Sequence, residues 1–370
     1  MKFSCDKISL LNAVNKVIKG VTPRTTLPIL QGILLTAKDN KLVMYSTDME
    51  IGIECKVDAE IVEEGSIVVS SKVFSDLVRK LPENTIYFTT DQDYIVNIKC
   101  GLSEFTISGN SSEEFPEIPE VLKEITFSIN QNVLKEMIKM TSFCVAQDMT
   151  RPILTGILME ISKNTINMVA LDGYRMAIKK YISEDLLLKE FDDFSVVIPG
   201  TTANELVRIM EDNDDNVYVS FTGNQILFEI NDTKVISKLL DGNYMNYKAV
   251  IPKDFKSIVI IEKDDLIGAI DRASLLASNK SNLIKFTFNE RELIISSNSE
   301  KGKMSERVNI DIEGNLIEIA FNSRYLLEAL RVIDSEKIKM NMINSINPMI
   351  ITPVEDDDYL YMVLPVKLNG

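Results

Sequence analysis

The side chains that carry covalent chemistry are few in this sequence and badly spaced for it. Histidine is absent, which removes the commonest general base and the commonest metal ligand. Ser-His and Cys-His nucleophile schemes are excluded with it. The four cysteines, Cys5, Cys55, Cys100 and Cys144, lie 50, 45 and 44 residues apart. That spacing matches no metal or redox motif and reads as buried thiols in a reducing compartment. There is no P-loop, no G-x-G-x-x-G and no G-x-S-x-G. The acidic clusters EDNDD (211–215) and EDDD (355–358) are the one set of groups that could hold a divalent cation for phosphoryl hydrolysis. Each lies beside a turn signal, as a solvated loop does. The sequence therefore points to a protein that is not an enzyme and carries no metal or cofactor. Metal-dependent hydrolysis stands as the alternative, and a module that binds only other proteins as a third reading.

The chain has 370 residues, 45% hydrophobic and 26% charged, enough for two or three cores. MKFSCDKISLL at the N-terminus lacks a long apolar stretch, and no window approaches 18 uninterrupted apolar residues, so neither a signal peptide nor a membrane span is expected.

The elements follow from an internal repeat. PILQGILLT (28–36) and PILTGILME (152–160), each expected to be one strand, share six of nine residues at an offset of 124. Before each lies an amphipathic helix, with Leu10, Ala13, Val14 and Val17 in one and Val133, Leu134, Met137 and Ile138 in the other. DDLIGAIDRASLLA (264–277) followed by SNLIKFTF (281–288) supplies a third copy. A second helix also recurs, in SKVFSDLVRKLPEN, TANELVRIMEDN and RYLLEALRVIDSEK, with Arg79, Arg208 and Arg331 offset by 129 and 252. A period this long means duplicated domains and not a solenoid. Between the helices run segments that alternate apolar and polar residues, such as KLVMYSTD and TIYFTT, the pattern of half-buried strands. The fold class is α+β: three duplicated domains of antiparallel sheet with two helices each. EEFPEIPEV (113–121) and NYMNYKAVIP (243–252) read as extended connectors, and the domains as 1–123, 124–252 and 253–370.

Net charge is −15, which taken as a whole opposes nucleic-acid binding. Its distribution does not. Residues 6–20 and 71–81 each carry +2, 131–143 carries +1, 201–211 carries −1, and 263–280 and 322–334 are neutral. The six helical segments thus total +4 against −19 elsewhere. A solvated helix face explains any one of them; the set suggests a surface for phosphate.

The ordered motifs MKFSCDKISLLNAV, TLPIL, TDME, FPEIP, LDGYRMA, SKLLDGNYMNYKAVIPK and YMVLPVKL resemble the bacterial DNA sliding clamp, the beta subunit of DNA polymerase III, over the whole chain. The resemblance implies the DNA-clamp (processivity-factor) fold in a ring-shaped head-to-tail homodimer in the cytoplasm, associated with the nucleoid. Such a ring encircles double-stranded DNA without sequence preference and has no catalytic activity. The implied partners are a clamp loader complex, the replicative polymerase catalytic subunit, and translesion polymerases and repair proteins carrying a short clamp-binding peptide. Weak, exchangeable phosphate contacts suit a ring that must slide.

Carried over residue by residue, the resemblance places DNA contacts at Arg24, Arg79, Gln147 and Arg151, where Arg151 and Pro152 replace the aromatic residues frequent in the family. It places the partner-peptide cleft at Leu154, Leu171, Gly173, Tyr174, Arg175, Met176, Val250, Met362, Leu364, Pro365 and Val366. Met245 and Ala249 stand where many relatives carry Pro and Arg. The implied dimer interface sets Phe105 and Ile107 against Leu275 and Leu276. Glu104, Lys301 and Lys303 suggest that the rim charges are exchanged relative to the family.

Overall fold

The computed structural model describes residues 1–22, 25–119, 125–183, 193–277, 282–300 and 302–367. One element order recurs three times. The first repeat opens with β1 (Lys2–Asp6), α1 (Lys7–Val17), β2 (Gly32–Lys38), β3 (Lys41–Thr47) and β4 (Ile51–Glu63). It continues with β5 (Gly65–Ser70), α2 (Ser71–Lys80), β6 (Thr85–Thr90), β7 (Ile95–Cys100) and β8 (Ser103–Asn110). The second has β9 (Ile125–Asn130), α3 (Gln131–Ser142), β10 (Gly156–Ser162), β11 (Thr165–Leu171) and β12 (Arg175–Ile182). Then come β13 (Phe194–Pro199), α4 (Gly200–Ile209), β14 (Asn216–Thr222), β15 (Gln225–Ile230) and β16 (Thr233–Lys238). The third has β17 (Ser257–Glu262), α5 (Lys263–Ser274), β18 (Leu283–Phe288), β19 (Glu292–Ser299), β20 (Gly302–Asn309) and one additional strand, β21 (Asp311–Gly314). It closes with β22 (Glu318–Asn322), α6 (Ser323–Leu330), β23 (Lys337–Met342), β24 (Met349–Pro353) and β25 (Tyr359–Val363).

The helices form where the apolar period places them. α1 buries Leu10, Ala13, Val14 and Val17, one stripe at helical spacing. Its start is fixed by Asp6, whose carboxylate accepts from the Ser9 N–H at 2.8 Å and the Ser9 hydroxyl at 3.0 Å, satisfying an otherwise orphan helix donor. Those hydrogen bonds hold the Asp6 carboxyl below its ordinary value. α3 buries Leu134, Met137 and Ile138, and α6 is capped by Asn322, which accepts from the Arg324 N–H at 3.0 Å.

The described chain forms two compact units, Met1–Asn132 with Glu205–Leu239 and Val133–Asn204 with Leu240–Gly370. In the first, one twelve-stranded sheet runs β1-β6-β7-β8-β5-β2-β3-β4-β16-β15-β14-β9. In the second, nine strands run β13-β10-β11-β12-β25-β24-β23-β17-β21, and four more run β20-β19-β18-β22. The middle repeat contributes strands to both units. In each unit the fourth strand of one repeat pairs with the last strand of the next. Gly52 of β4 faces Ile236 of β16, and Met176 of β12 faces Met362 of β25. Since 52 and 176 differ by the repeat offset, both junctions have the same register on that strand.

The repeated PILxGIL segment departs from the expected strand. Pro28–Gln31 and Pro152–Thr155 are single 3-10 turns, and β2 and β10 begin only at the following glycine. Proline fixes the φ that a first helical residue needs and lacks the N–H that would go unused there. The glycine permits close approach. A Cβ on Gly32 would sit 2.4 Å from Val68 Cγ1 and 3.0 Å from the Val69 carbonyl oxygen. On Gly156 it would sit 2.6 Å from Val197 Cγ1 and 2.7 Å from the Ile198 carbonyl oxygen. The connector at 243–252 is likewise not wholly extended, because Tyr247–Val250 closes a 3-10 turn.

Overpacking of this kind costs about 1–3 kcal/mol. Gly156→Ala is therefore expected to lose that much stability in urea unfolding. An unchanged midpoint and slope would refute the close-approach account of the motif.

Candidate functional site

The β12–β25 junction organises the residues implied for a partner cleft. The β11–β12 connection is a tight turn in which Asp172 Oδ1 accepts from the N–H groups of Tyr174 at 2.9 Å and Arg175 at 3.0 Å. Gly173 takes φ +90°, a conformation that costs a residue with a Cβ. The turn leaves Tyr174 62% exposed. Beyond β25 the chain stays tied to both sheets of its unit. The Leu364 N–H donates to the Tyr174 carbonyl and the Val366 N–H to the Ala320 carbonyl of β22, both at 2.8 Å.

Leu154, Leu171, Met176 and Met362 share one buried cluster with Leu158, Val169, Val197, Tyr247 and Ile350. Their burial makes them a floor. The accessible apolar surface beside them is Tyr174, Val250 at 43% and Leu364 at 37% exposure, with Met245 at 41%. Pro365 and Val366 are half-buried. The connector is pinned over the floor by polar anchors that sequence reasoning missed. The Tyr247 hydroxyl donates to Glu160 at 2.6 Å, Lys248 pairs with Glu160 at 3.1 Å, and the Tyr244 hydroxyl donates to the Val169 carbonyl at 3.3 Å. Burial, then the Glu160 carboxylate, raises the Tyr247 phenol, which stays protonated. The signal for Tyr244 and Tyr247 lay in NYMNY itself, two aromatic residues each with a polar end that needs a partner when buried.

Arg175 is only 8% exposed. Its guanidinium donates to Asp172 at 3.0 Å, to Glu328 of α6, and to the Phe143 carbonyl at 2.7 Å, and lies 4.3 Å from the Tyr325 ring centroid. Its donors are directed inward, so it holds α6 against β12 and does not offer them at the surface. Burial alone would raise the Glu328 carboxyl, but hydrogen bonds from Arg324 and Arg175 outweigh it and hold Glu328 below the usual glutamate value.

Of the residues implied to touch DNA, Arg24 lies outside the described residues. Arg79 is exposed on α2, 3.8 Å from Asp76 one turn earlier. Gln147 and Arg151 are exposed in the segment after α3, shaped by Asp148 Oδ1 accepting from the Thr150 N–H at 2.9 Å. The corresponding arginines are also locally paired, Arg208 with Glu205 at 2.7 Å and Arg331 with Asp271 at 3.1 Å. The positive sum over the helices overstates the free charge. Lys7 is buried, and Lys16 pairs with Glu211 at 2.9 Å.

Of the implied interface residues, Phe105 is 41% and Leu275 74% exposed. Ile107 and Leu276 are half-buried, and Lys303 is exposed. Glu104 pairs with Lys99 across the β7–β8 hairpin at 2.8 Å, and Lys301 lies outside the described residues. Among the described residues no three His, Cys, Asp or Glu groups converge as a metal site. In the acidic segment 211–215 the Asp214 carbonyl accepts from Asn130 and the Asp215 carboxylate from Asn213, both at 3.0 Å. In 355–358, Asp356 accepts from the Asp358 N–H at 2.7 Å. All four cysteines are buried and free, and burial pushes the Cys5 thiol up to about 12.

Repeated helix-and-sheet domains joined edge to edge define a DNA clamp, a class of non-catalytic polymerase accessory proteins. Family models for the N-terminal, central and C-terminal domains of the DNA polymerase III beta subunit match residues 1–119, 128–246 and 248–367. The beta sliding clamp of Staphylococcus epidermidis is 35% identical over 99% of both chains. The Bacillus subtilis DNA polymerase sliding clamp superposes with a TM-score of 0.95 at 34% identity, covering 100% of this chain and 99% of that one. A Pseudomonas aeruginosa sliding clamp, solved bound to griselimycin, superposes at 0.94 with 29% identity over 100% of both chains. The chain belongs to the DNA polymerase III beta subunit family, the beta sliding clamps, and is a DNA polymerase processivity factor. No helix among the described residues is long and apolar enough to cross a membrane.

Arg175→Ala leaves Asp172 and Glu328 without their buried partner and is expected to cost about 3–5 kcal/mol in denaturant unfolding. The Glu328 contribution is complete above its ordinary value of 4.5 and is lost as pH falls through its lower folded value. Glu328→Gln should therefore flatten the loss of stability below that pH. A variant with an unchanged acid limb would show that this carboxylate does not contribute to it.

Proposed function

We propose that two copies of this chain close head to tail into a ring around duplex DNA, in the cytoplasm at the nucleoid. The observation that carries this is the series of sheet junctions. β4 of the first repeat takes β16 of the second, and β12 of the second takes β25 of the third. The equivalent strand of the third repeat is β20, at the end of its sheet, and the equivalent closing strand is β8. Among the described residues β8 pairs with β5 only at Gly109 and Asn110, so its outer edge over residues 103–108 is open. An unpaired edge is a template for another strand. Pairing β8 of one protomer with β20 of its partner satisfies both edges, and such a heterologous contact made twice closes.

Phe105 and Ile107 meet Leu275 and Leu276 beside this junction, with Glu104, Lys301 and Lys303 at its rim. Glu104→Lys is expected to weaken dimerisation at low salt, modestly, because Lys99 already screens that carboxylate. Domains bounded at 1–123, 124–252 and 253–370 supply the repeats. Arg24, Arg79, Gln147 and Arg151 make exchangeable phosphate contacts, so retention comes from closure and not from affinity. The cleft over Leu154, Leu171, Met176 and Met362, with Gly173 shaping its turn, Arg175 bracing it and Tyr174, Val250, Leu364, Pro365 and Val366 along its edge, takes the short peptides of the replicative polymerase catalytic subunit, the clamp loader complex, translesion polymerases and repair proteins. A floor containing methionines adapts to several guests.

Loaded protein should remain on nicked circular DNA and leave when the circle is linearised, at a mass of two chains. Equal retention on both DNAs, or a monomer, would contradict the ring. Met362→Ala with Leu364→Ala should keep the dimer and the DNA topology but lose a fluorescent partner peptide by about 2 kcal/mol or more. Unchanged peptide affinity in the folded variant would move the partner site elsewhere.

A further inference from the structure

The first unit contains a second groove built on the same plan. In β16 the Lys238 N–H donates to the Glu50 carbonyl at 2.9 Å, as Leu364 does to Tyr174. Glu50 and Tyr174 differ by the repeat offset of 124, as do Leu30 and Leu154 and also Tyr45 and Val169. Leu30, Tyr45, Val68 and Phe115 form a buried cluster with Ile118 packed on it, and Phe115 lies in the 113–121 connector as Tyr247 lies in the later one. Here the plan leaves an open cavity of about 220 Å³, with Tyr45, Met49, Ile51, Pro116, Pro119 and Ile236 as apolar walls. That is below the size of sites for whole drug-sized ligands and suits the side chains of a peptide anchor. Met49 is 48% exposed at the lip and takes φ +77°, where the other turn has Gly173.

The rim differs in charge from the other groove. Glu50, Glu117 and Lys238 also line the cavity, and the connector adds Glu113 and Glu114. The one lysine is occupied by Glu50 at 3.2 Å, and both groups are exposed, so a ligand cation can exchange for it at small cost. The later connector carries one charged residue over 243–251, Lys248. An apolar anchor flanked by cations is complementary to the acidic rim of the first groove.

We propose that this groove is a second docking site, for a partner-protein segment in which large apolar residues are followed by lysine or arginine. The test uses the full-length protein with ¹³C-methyl methionine, because Met49 reports this groove while Met176 and Met362 report the other in the same spectrum. The probe is the acetylated hexapeptide Gly-Leu-Phe-Lys-Arg-Gly. Met49 is expected to shift saturably. Glu50→Gln with Glu117→Lys should weaken binding at least tenfold, as should glutamates in place of the peptide's two cations. Glu117→Lys alone, at an exposed position, keeps the test independent of folding and should weaken binding severalfold. An immobile Met49 at millimolar peptide, a shift indifferent to the charge changes, or movement of Met362 alone would each overturn the proposal. None of these results bears on the partner peptide of the later cleft read at Met362, so the two sites stand or fall separately.

Discussion

Everything in this molecule depends on backbone groups at strand edges finding partners on another repeat. A repeat of this kind ends with one edge strand that has no partner of its own. Each ladder hydrogen bond adds only about 1 kcal/mol net, whereas a buried edge left unmade costs more per group. The β4–β16 and β12–β25 ladders are therefore what turn a duplicated sequence into extended sheets. They also explain why the compact units cut through the middle repeat, since its two half-sheets are each more firmly joined to a neighbour.

The grooves are by-products of the same constraint. Where two repeats meet along a strand, the connector between them covers part of one face of the seam. At the later seam this cover is tied down by Tyr244 and Tyr247, at the earlier one by Phe115. A protein that only holds and recruits needs such surfaces and no reactive group, which agrees with a histidine-free chain and buried thiols.

Much of the fold was legible because it is local. Helical period identified α1 and α3, alternation identified the strands, and six shared residues exposed the duplication. The 3-10 turns at Pro28 and Pro152 were not, because an apolar run of four residues fits a strand or a buried turn equally well. Within the site, Leu154, Leu171, Met176 and Met362 do converge, yet their types say nothing of which are floor and which are lip. For Arg175 the residue was legible but its partner was not, because Glu328 is 153 residues away. The helix charge sum went astray for a similar reason: Lys7 is buried and Lys16 is neutralised by Glu211, facts that a tally of charges along a sequence cannot contain.

The long reach of the β12–β25 ladder has a consequence for the ribosome. β12 ends at Ile182, and the strand that covers it begins at Tyr359. At about 5–20 residues per second, the nascent β12 edge waits roughly 10–35 seconds for its partner. Lysines on an open edge discourage pairing with other chains, and β12 carries two, Lys179 and Lys180. Once the sheet is complete, Lys179 is absorbed by Glu136 at 3.2 Å and Asp356 at 3.4 Å. The same side chain thus guards the unfinished polypeptide on the way to the native state and braces the finished one.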